Sequence, residues 1–384
     1  MTSGPETEAC EDCLRRAWLV GDLAGHIEVA VENAAGRRAR ELLALPDEDL
    51  AAAMARGQAG EILARAGDRD AGELRDRVEA ARAWACCCHD PLYPAALAED
   101  RQAPATLFGR GDPALMGRLA GLDDALTVVG SRRPSIYGRQ LAETLARELA
   151  AAGLVVVSGM ALGIDSRAHS GTLTAGGVTV AVLGSGPDVP YPVRLRRLYE
   201  TIVERGLVLS ELPPGTQARR WTFPARNRIM AALSAMTVVV EARERSGSQI
   251  TAAMASDLGR EVGAVPGRVG NATAAGTNAL LRDGAQVIRG AQDVLDALLG
   301  TGVRRRRLPS SPGGGSPLDP GLAAVLELVE GGAHGPDALA TEGGLDPGDA
   351  AASLARLELL GYVRCDSAGR FERTTLPAPA EVGA

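Results

Sequence analysis

The sequence predicts an α/β protein built on a doubly wound parallel sheet, with a small helical domain before the sheet and a winged helix after it. In the middle of the 384-residue chain, short apolar runs alternate with amphipathic segments. This alternation is typical of parallel strands joined by crossover helices, because such strands are buried on both faces. The flanking segments have helical periodicity instead.

Residues 1–85 are predicted to form the small helical domain. They are rich in Ala, Leu and Arg, and the segments 51–66 and 72–85 have apolar residues at helical spacing without strand-like alternation. The first 12 residues include four acidic ones, where a secretory signal would be positive and then apolar, and no run of about 18 apolar residues occurs. We therefore expect a cytoplasmic protein that does not span a membrane.

Residues 86–300 are predicted to hold the parallel sheet. Most of its candidate strands are followed by Gly or Ser and then by a helical stretch. Ligands of open parallel sheets bind at the carboxyl ends of the strands, so these turns form the candidate site. The candidate strands are 126–129, 154–157, 178–183, 207–209, 236–240 and 262–265.

Residues 301–317 and 318–384 complete the chain as a predicted flexible linker and a winged helix. The linker combines four consecutive arginines with a stretch of Pro, Ser and Gly that breaks all periodicity. Beyond it, three short helices and then a hairpin around residues 367–369 give the order of elements in a winged helix. The predicted helices are 322–330, 336–341 and 347–360.

The distribution of charge favours a polyanionic partner for the middle of the chain. The net charge is -7, yet residues 126–290 contain 19 Arg against 12 acidic residues, whereas the segments 1–125 (14 against 23) and 291–384 (8 against 13) are acidic. The chain has no Lys, which excludes a P-loop and Schiff-base chemistry. The alternative is that Arg simply takes the place of Lys on solvent-exposed surfaces, without a polyanionic partner.

Turns rich in small residues follow nearly every predicted strand. Small residues let backbone amides approach a phosphate, and the helix that begins after each turn adds about half a positive charge at its N-terminus. Five such turns on one sheet edge predict a groove that binds phosphates. Any one of them alone could be explained by the steric needs of a strand-to-helix turn. The candidate residues are Gly130, Ser131, Arg132, Ser158, Gly159, Gly184, Ser185 and Gly186.

Arg132 lies in the turn after the first strand of this sheet, where a dinucleotide-binding fold would have a glycine. The G-x-G-x-x-G pattern is absent there, and no acidic residue ends the second strand at Ser158 to hold a ribose, so NAD binding is not expected. A cation in this turn suits an external phosphodiester. A surface ion pair is the alternative.

Arginine and aromatic residues are combined between positions 219 and 228. This composition suits a single-stranded nucleic acid, since guanidinium groups bind phosphates or base faces and rings stack on bases. The alternative is that Trp221 and Phe223 anchor the core and one Arg pairs with Glu211 or Glu241, and we expect both to be partly true. The candidates are Arg226, Asn227 and Arg228, with Ser246, Gly247 and Ser248 as a further anion site or a helix N-cap.

Asp165 and His169 are predicted to be structural rather than an acid–base pair. Asp at a helix start usually caps the helix, and a His one turn later usually satisfies that carboxylate. Cys10-x-x-Cys13 and the segment 86–89 could together supply four zinc ligands. Three consecutive cysteines suit tetrahedral geometry poorly, so we expect buried thiols and predict no metal and no cofactor.

Taken in order, these motifs resemble the DNA-processing protein A family, also called Smf. The resemblance covers about residues 90–290 and implies an extended Rossmann-like sheet, flanked by a sterile-alpha-motif-like or helix-hairpin-helix-like domain and a winged helix. The matching segments are 128–132, 158–165, 191–192, 210–211, 223–228, 246–251, 260–267 and 276–278.

The resemblance implies a protein without catalytic turnover that binds single-stranded DNA, dimerises, protects exposed strands and helps to load the RecA recombinase in natural transformation and recombination. By position, the turns 130–132 and 184–186 would belong to the DNA pocket, together with Arg226 and Arg228. Arg194 and Arg196 keep positive charge after Tyr191-Pro192, although Val193 and Leu195 replace the residues that the family tends to have.

Two other functions stay open at the level of the sequence. Related Rossmann proteins cleave nucleoside monophosphates with a compact P-G-G-x-G-T-x-x-E motif, but here Pro266-Gly267 and Gly276-Thr277 are separated by eight residues and the Glu is missing. A scaffold that binds only proteins is the other alternative. We therefore expect a protein that is not an enzyme.

Overall fold

The computed structural model describes residues 8–32, 39–119, 121–300, 318–366 and 369–374. They fall into two compact units. The larger comprises Met1–Arg133 and Ala142–Arg307, and the smaller comprises Pro134–Leu141 and Leu308–Ala384. The predicted linker 301–317 lies outside the described residues.

A sheet of nine strands among the described residues forms the centre of the larger unit. In chain order the strands are β1 Trp84–Cys87, β2 Thr106–Gly111, β3 Ala125–Val129, β4 Val155–Ser158, β5 Thr179–Val182, β6 Leu207–Ser210, β7 Met236–Val239, β8 Glu261–Ala264 and β9 Gln286–Val287. The spatial order is β1-β2-β6-β5-β4-β3-β7-β8-β9. Strands β3 to β9 are parallel, whereas β2 is antiparallel to both β6 and β1.

The six strands predicted from apolar runs are confirmed as β3 to β8, with every end within one residue of its predicted position. Strands β1, β2 and β9 were not predicted. Glycines obscure β2, and one of them is required by packing: a Cβ on Gly109 would lie 2.1 Å from the ring of Trp84 on the neighbouring strand.

Helices cover both faces of this sheet. In chain order the α-helices up to residue 300 are α1 Glu11–Glu32, α2 Ala39–Leu43, α3 Asp47–Ala55, α4 Ala59–Gly67, α5 Ala71–Ala80, α6 Ala95–Ala98, α7 Ile136–Ala151, α8 Ile164–Thr174, α9 Arg196–Arg205, α10 Thr222–Ala232, α11 Gly247–Asp257, α12 Ala275–Arg282 and α13 Ala291–Leu299, of which α7 begins in the smaller unit and continues in the larger. On β5, Ala181 packs with residues of α8 and α9, whereas its neighbours Val180 and Val182 pack with residues of α10 and α11. Successive strand residues thus serve opposite layers, which confirms the doubly wound α/β fold.

The strand order reverses at β3. Strands β4, β5 and β6 lie on one side of it and β7, β8 and β9 on the other. The turns after β3 and β7 therefore diverge to opposite faces of the sheet and leave a crevice at the carboxyl edge, which is where such folds bind ligands.

The N-terminal helices share their core with the sheet. The ring of Trp18 in α1 meets Phe108 of β2 edge to face, with centroids 5.4 Å apart. Trp221, just before α10, donates from Nε1 to the carbonyl oxygen of Ala24 in α1 at 3.0 Å. The predicted domain boundary at residue 85 therefore falls inside one compact unit, and β1 begins at that point.

The smaller unit contains the predicted three helices and hairpin. They are α14 Pro320–Gly331, α15 Pro336–Gly343, α16 Pro347–Leu359, β10 Val363–Cys365 and β11 Phe371–Arg373. Asp319 and Asp346 cap α14 and α16, each helix starting with a Pro whose missing N–H is not needed there. This order of elements is consistent with a winged helix, and the turn residues 367–368 lie outside the described part of the chain.

None of the helices within the described ranges is long and apolar enough to span a bilayer.

Trp221 is 2% exposed and joins α1 to the start of α10, so its loss should destabilise the larger unit. We expect Trp221→Ala to lower the free energy of unfolding by about 3–5 kcal/mol, as for other buried Trp truncations. Trp221→Phe keeps most of the apolar contact and loses only the N–H donor, so it should cost about 1–3 kcal/mol. Urea unfolding followed by circular dichroism measures both, and an alanine variant with the midpoint of the wild type would contradict this role.

Candidate nucleic-acid interface

The turns after β3 and β7 are tied together at the crevice. The backbone N–H of Ser131 donates to the carbonyl oxygen of Glu241 at 2.6 Å, and Ile164 donates to the carbonyl oxygen of Ser131 at 3.2 Å. A Cβ on Gly130 would lie 2.7 Å from a side-chain carbon of Ile164 and 2.9 Å from the Glu241 oxygen, so glycine is required there. This close packing fixes the backbone from which the exposed side chain of Arg132 extends.

A narrow pocket beside this turn has a guanidinium group and two aromatic rings on its walls. Arg132 Cζ lies 5.4 Å from the centroid of the Phe223 ring, and that ring lies 5.3 Å from the ring of Tyr191, which is 47% exposed. No carboxylate among the described residues is within salt-bridge distance of Arg132. The alternative of a surface ion pair is therefore not supported for Arg132.

The volume of this pocket is about 80 Å3. Small-molecule sites usually enclose about 300–1,000 Å3, so the pocket can take a phosphate group or the edge of a base but cannot enclose a whole nucleotide. Its lining also includes Gly159, Leu183, Gly184 and Arg226.

Arg226 lies at the inner end of the pocket and is 6% exposed. Its Nη1 donates to the carbonyl oxygens of Gly159, at 2.6 Å, and of Val182, and its Nε donates to Asn227 Oδ1 at 2.9 Å. A Cβ at Gly159 would lie 2.2 Å from Arg226 Nη2, so glycine makes room for the guanidinium group. Nη2 has no protein acceptor within the described ranges, which leaves this donor for a ligand oxygen.

Burial sets the ionisation of the charged groups around this pocket. It lowers the pKa of Arg226 to about 10, with Asp165 opposing the shift, and the group stays cationic at neutral pH. Burial raises the pKa of Asp165 above its usual range, and the charge of Arg226 opposes that shift most strongly. Asp165 Oδ2 accepts a hydrogen bond from the backbone of Ala161 at 3.3 Å, in line with the predicted structural role.

The predicted contact between His169 and Asp165 is wrong. His169 instead bonds through Nδ1 to Thr179 Oγ1 at 2.7 Å. Thr179 donates its hydroxyl hydrogen to Val156, so Nδ1 must be the donor and Nε2 is the unprotonated nitrogen. Burial lowers the pKa of His169 to about 3, and the ring is neutral at physiological pH.

Exposed arginines lie in the connections that follow parallel strands, either in the loops or in the first turn of a helix. They belong to the connections after β3, β5, β6 and β7, all of which start at the carboxyl edge. Arg194 and Arg196 were candidates from the sequence, whereas Arg243 and Arg245 were missed, although they follow β7 as Arg132 follows β3. The exposed arginines are Arg132, Arg133, Arg194, Arg196, Arg197, Arg219, Arg220, Arg243 and Arg245.

Several predicted site residues support the loops from within. Ser158 and Ser185 are fully buried and donate to the carbonyl oxygens of Val128 and Val189. A Cβ on Gly186 would lie 2.6 Å from the carbonyl oxygen of Pro213, so Gly186 permits close packing. Their contact with DNA stays a prediction. In the structure these residues lie beneath the surface of the loops and hold the loop backbone in place.

Asn227 and the 246–248 turn connect α10 to α11. Asn227 Nδ2 approaches the carbonyl oxygen of Gly247 at 3.5 Å while its Oδ1 accepts from Arg226. Ser246 Oγ accepts from the backbone of Ser248 at 3.4 Å and thus caps α11, which is the N-cap alternative drawn from the sequence.

Arg228 does not reach the pocket, so we correct its assignment as a DNA-contacting residue. Its side chain is 3% exposed and pairs with Glu211, the ion pair that the sequence offered as the alternative. The two aromatic candidates also differ: Trp221 is a core anchor bonded to α1, whereas Phe223 lines the pocket.

One cluster within the described ranges could hold a metal ion. It consists of Cys10, Cys13, Cys87 and His89, whose ligand atoms all lie within 4.8 Å of one another. The prediction of no metal rested on the three consecutive cysteines, but only Cys87 of these belongs to the cluster.

Comparison with known proteins places the chain in a family. The family model described as DNA recombination-mediator protein A matches residues 84–299. The DNA processing protein DprA of Streptococcus pneumoniae is 42% identical over 206 residues, which are 54% of this chain and 71% of that protein. The protein Smf of Synechocystis is 34% identical over 318 residues, covering 74% of this chain and 78% of that protein. The X-ray structure of DNA processing protein A from Streptococcus pneumoniae matches with a TM-score of 0.59 and 34% identity, over 74% of this chain and 95% of that chain.

The buried neutral His169 should make stability depend on pH. Since its pKa is about 3 in the folded chain and about 6.5 in the unfolded chain, the unfolded chain binds one more proton between these values. Stability is therefore fully present above about pH 6.5 and falls by up to about 1.4 kcal/mol per pH unit as the pH drops toward 3. His169→Asn keeps a hydrogen-bond donor near Thr179 but does not titrate. The urea midpoint of unfolding should therefore fall less between pH 7.5 and pH 5 in this variant than in the wild type. An unchanged loss would show that other groups carry the pH dependence.

Proposed function

Because the chain belongs to the DNA recombination-mediator protein A family, we propose that its arginine-rich carboxyl edge binds single-stranded DNA, protects exposed strands and loads the RecA recombinase onto them. Natural transformation and homologous recombination are the processes proposed for this activity, and a chain acting with RecA works in the cytoplasm. We also propose that the chain acts as a homodimer, as the resemblance to the family implies.

The pocket formed by Arg132, Phe223 and Tyr191 is the observation that carries the proposal. An exposed guanidinium group without a carboxylate partner, held over a ring, is available to a phosphate or a base face. The half-exposed ring of Tyr191 offers a stacking surface beside it. Stacking needs bases that are not paired in a duplex, so this combination supports single-stranded rather than double-stranded DNA.

The remaining arginines provide the electrostatic part of the proposed interface. The free Nη2 of Arg226 offers a fixed donor at the inner end of the pocket, and the exposed arginines in the connections after the parallel strands attract the adjacent phosphates. Contacts to phosphates carry no sequence information. The proposed binding is therefore strong at low salt and tolerant of sequence.

A nucleotide-cleaving enzyme is the less supported function. The loop between Gly267 and Gly276 is closed by Asn278, which accepts from the Gly267 N–H at 3.1 Å and donates to its carbonyl oxygen at 2.9 Å. No Glu occupies the position that the nucleoside monophosphate motif requires. The small pocket volume also argues for contact with part of a strand, and we propose that the protein is not an enzyme. The scaffold alternative leaves the unpaired Arg132 without a role.

The first test replaces Arg132 by Ala. We expect weaker binding to oligothymidine and to mixed single strands alike, with the slope of log affinity against log salt reduced by about 0.7 for one lost phosphate contact. Arg282→Ala is the control, because Arg282 is another exposed arginine, paired with Asp283 at the end of α12, and the following strand β9 begins at the amino edge of the sheet. Fluorescence anisotropy across salt concentrations measures both, with hydrolysis of nucleoside monophosphates assayed on the same preparations. Unchanged affinity and slope for Arg132→Ala would reject the pocket, and hydrolysis that Arg132→Ala abolishes would favour the enzyme.

The second test separates stacking from charge at Tyr191. Tyr191→Ala removes the ring and should weaken single-strand binding by about 1–3 kcal/mol, the range found for one stacked base, with no change in the salt slope. Tyr191→Phe keeps the ring and should bind like the wild type. If the alanine and phenylalanine variants lose affinity equally, the hydroxyl rather than the ring makes the contact.

A further inference from the structure

Three sulfur atoms surround one ring nitrogen where the start of α1 meets the end of β1. The Sγ atoms of Cys10, Cys13 and Cys87 lie 3.5, 3.7 and 3.8 Å from His89 Nδ1. Cys10 immediately precedes α1, Cys13 lies in its first turn, Cys87 ends β1, and His89 follows in the next turn. None of these four residues belongs to the proposed DNA-binding pocket.

Hydrogen bonding does not explain this arrangement. A neutral imidazole nitrogen has one lone pair in the plane of the ring, so Nδ1 can accept from only one of the three thiols. The other two sulfur atoms would then lie close to Nδ1 without a hydrogen bond to it. A shared ion at the centre of the four atoms accounts for all three approaches at once.

The distances agree with those of a tetrahedral zinc site. With Zn–S bonds of about 2.3 Å and Zn–N bonds of about 2.0 Å, a tetrahedral angle places each sulfur about 3.5–3.6 Å from the nitrogen. The observed separations of 3.5 to 3.8 Å need little adjustment to reach this value. We propose that Cys10, Cys13, Cys87 and His89 bind one zinc ion in a structural Cys3His site.

The surroundings of the cluster suit thiolate ligands. Cys10 and Cys13 lie at the N-terminus of α1, where the helix dipole favours negative charge. The backbone N–H of Cys10 points at Cys87 Sγ at 3.5 Å, and the carbonyl oxygen of Cys13 accepts a hydrogen bond from Thr106 at 2.9 Å. Four protein ligands leave no open position, so the ion would be structural rather than catalytic.

Strand geometry explains why three consecutive cysteines are compatible with this site. Successive side chains of β1 point to opposite faces, so Cys86 and Cys87 cannot ligate the same ion. Cys86 is buried in the core of the sheet, and Cys87 faces α1. Cys88 is exposed, and although its Sγ lies 4.0 Å from His89 Nδ1, it is not one of the four ligand atoms that lie within 4.8 Å of one another. The triplet thus supplies a single ligand, and the C-x-x-C pair and His89 complete the set.

The proposed ion would fasten the N-terminal helices to an edge strand. Apart from the metal ligands, this junction is held by a β-bridge between Glu8 and Ala85 and by side-chain contacts such as the edge-to-face contact of Trp18 with Phe108. Removing the ion should therefore loosen the start of α1 from β1, while the hydrogen bond of Trp221 to Ala24, further along the same helix, still holds α10 and its pocket residues in place.

Metal analysis of the full chain, purified under reducing conditions from zinc-supplemented medium, tests the proposal. We expect about one zinc per wild-type chain, its loss in Cys87→Ser, and its retention in Cys88→Ser, which changes the neighbouring exposed thiol of the same triplet. Equal loss of zinc in both variants would overturn the assignment of ligands.

Cobalt(II) provides a second readout that does not depend on the folding of any variant. Added to the reduced, metal-free wild-type chain, it should give the visible bands of tetrahedral cobalt, thiolate-to-cobalt charge transfer in the near ultraviolet and a higher melting temperature. Zinc should then bleach the bands. Absence of these bands would overturn the proposal. Oligothymidine binding measured after metal removal tests the DNA-binding pocket separately from the zinc site. If the pocket proves not to bind DNA, the measured zinc content and the cobalt bands still decide whether the zinc site exists.

Discussion

The burial of one guanidinium group, that of Arg226, determines the architecture of the carboxyl edge. A buried cation is costly unless its donors are satisfied and its charge is compensated. Here the carbonyl oxygens of Gly159 and Val182 and the amide of Asn227 accept its hydrogen bonds, and Asp165 supplies a compensating charge at longer range. The ends of β4 and β5 are thereby held at a fixed distance from α10. These hydrogen bonds connect the inner end of the pocket to the ends of two strands and to α10.

This arrangement gives the lysine-free composition a structural meaning. The planar guanidinium group points several donors in fixed directions, so one side chain can serve two carbonyl groups and an amide together. A lysine ammonium group is a more strongly hydrated point charge and suits such burial less well. Arginine thus has two roles at this edge. Arg226 is buried and connects the loops by hydrogen bonds, whereas Arg132 is exposed and offers its charge to a ligand.

Sequence patterns predicted the parallel strands because buried strands need uninterrupted apolar residues, and each such run was found in the sheet. They did not predict β9, which has only two residues, or β2, in which Gly109 packs against Trp84. They also missed β1, because its first two residues were included in the helical segment 72–85. The pair Arg226 and Arg228 is more instructive. Residues two apart on a helix point about 200° from each other, so only one of them could face the groove. Which one did so depended on Glu211, which is distant in sequence and captures Arg228.

The contact between Trp221 and Ala24 connects two parts of the molecule that have different tasks. Phe223 and Arg226 lie in the first turns of α10, directly after the residue that anchors this helix to α1. A displacement of α1 is therefore transmitted to one wall and the inner end of the pocket through a single short helix. Linkage between binding sites is reciprocal. A protein that grips the N-terminal helices more tightly when a strand occupies the pocket would, to the same extent, increase the affinity of the pocket for that strand.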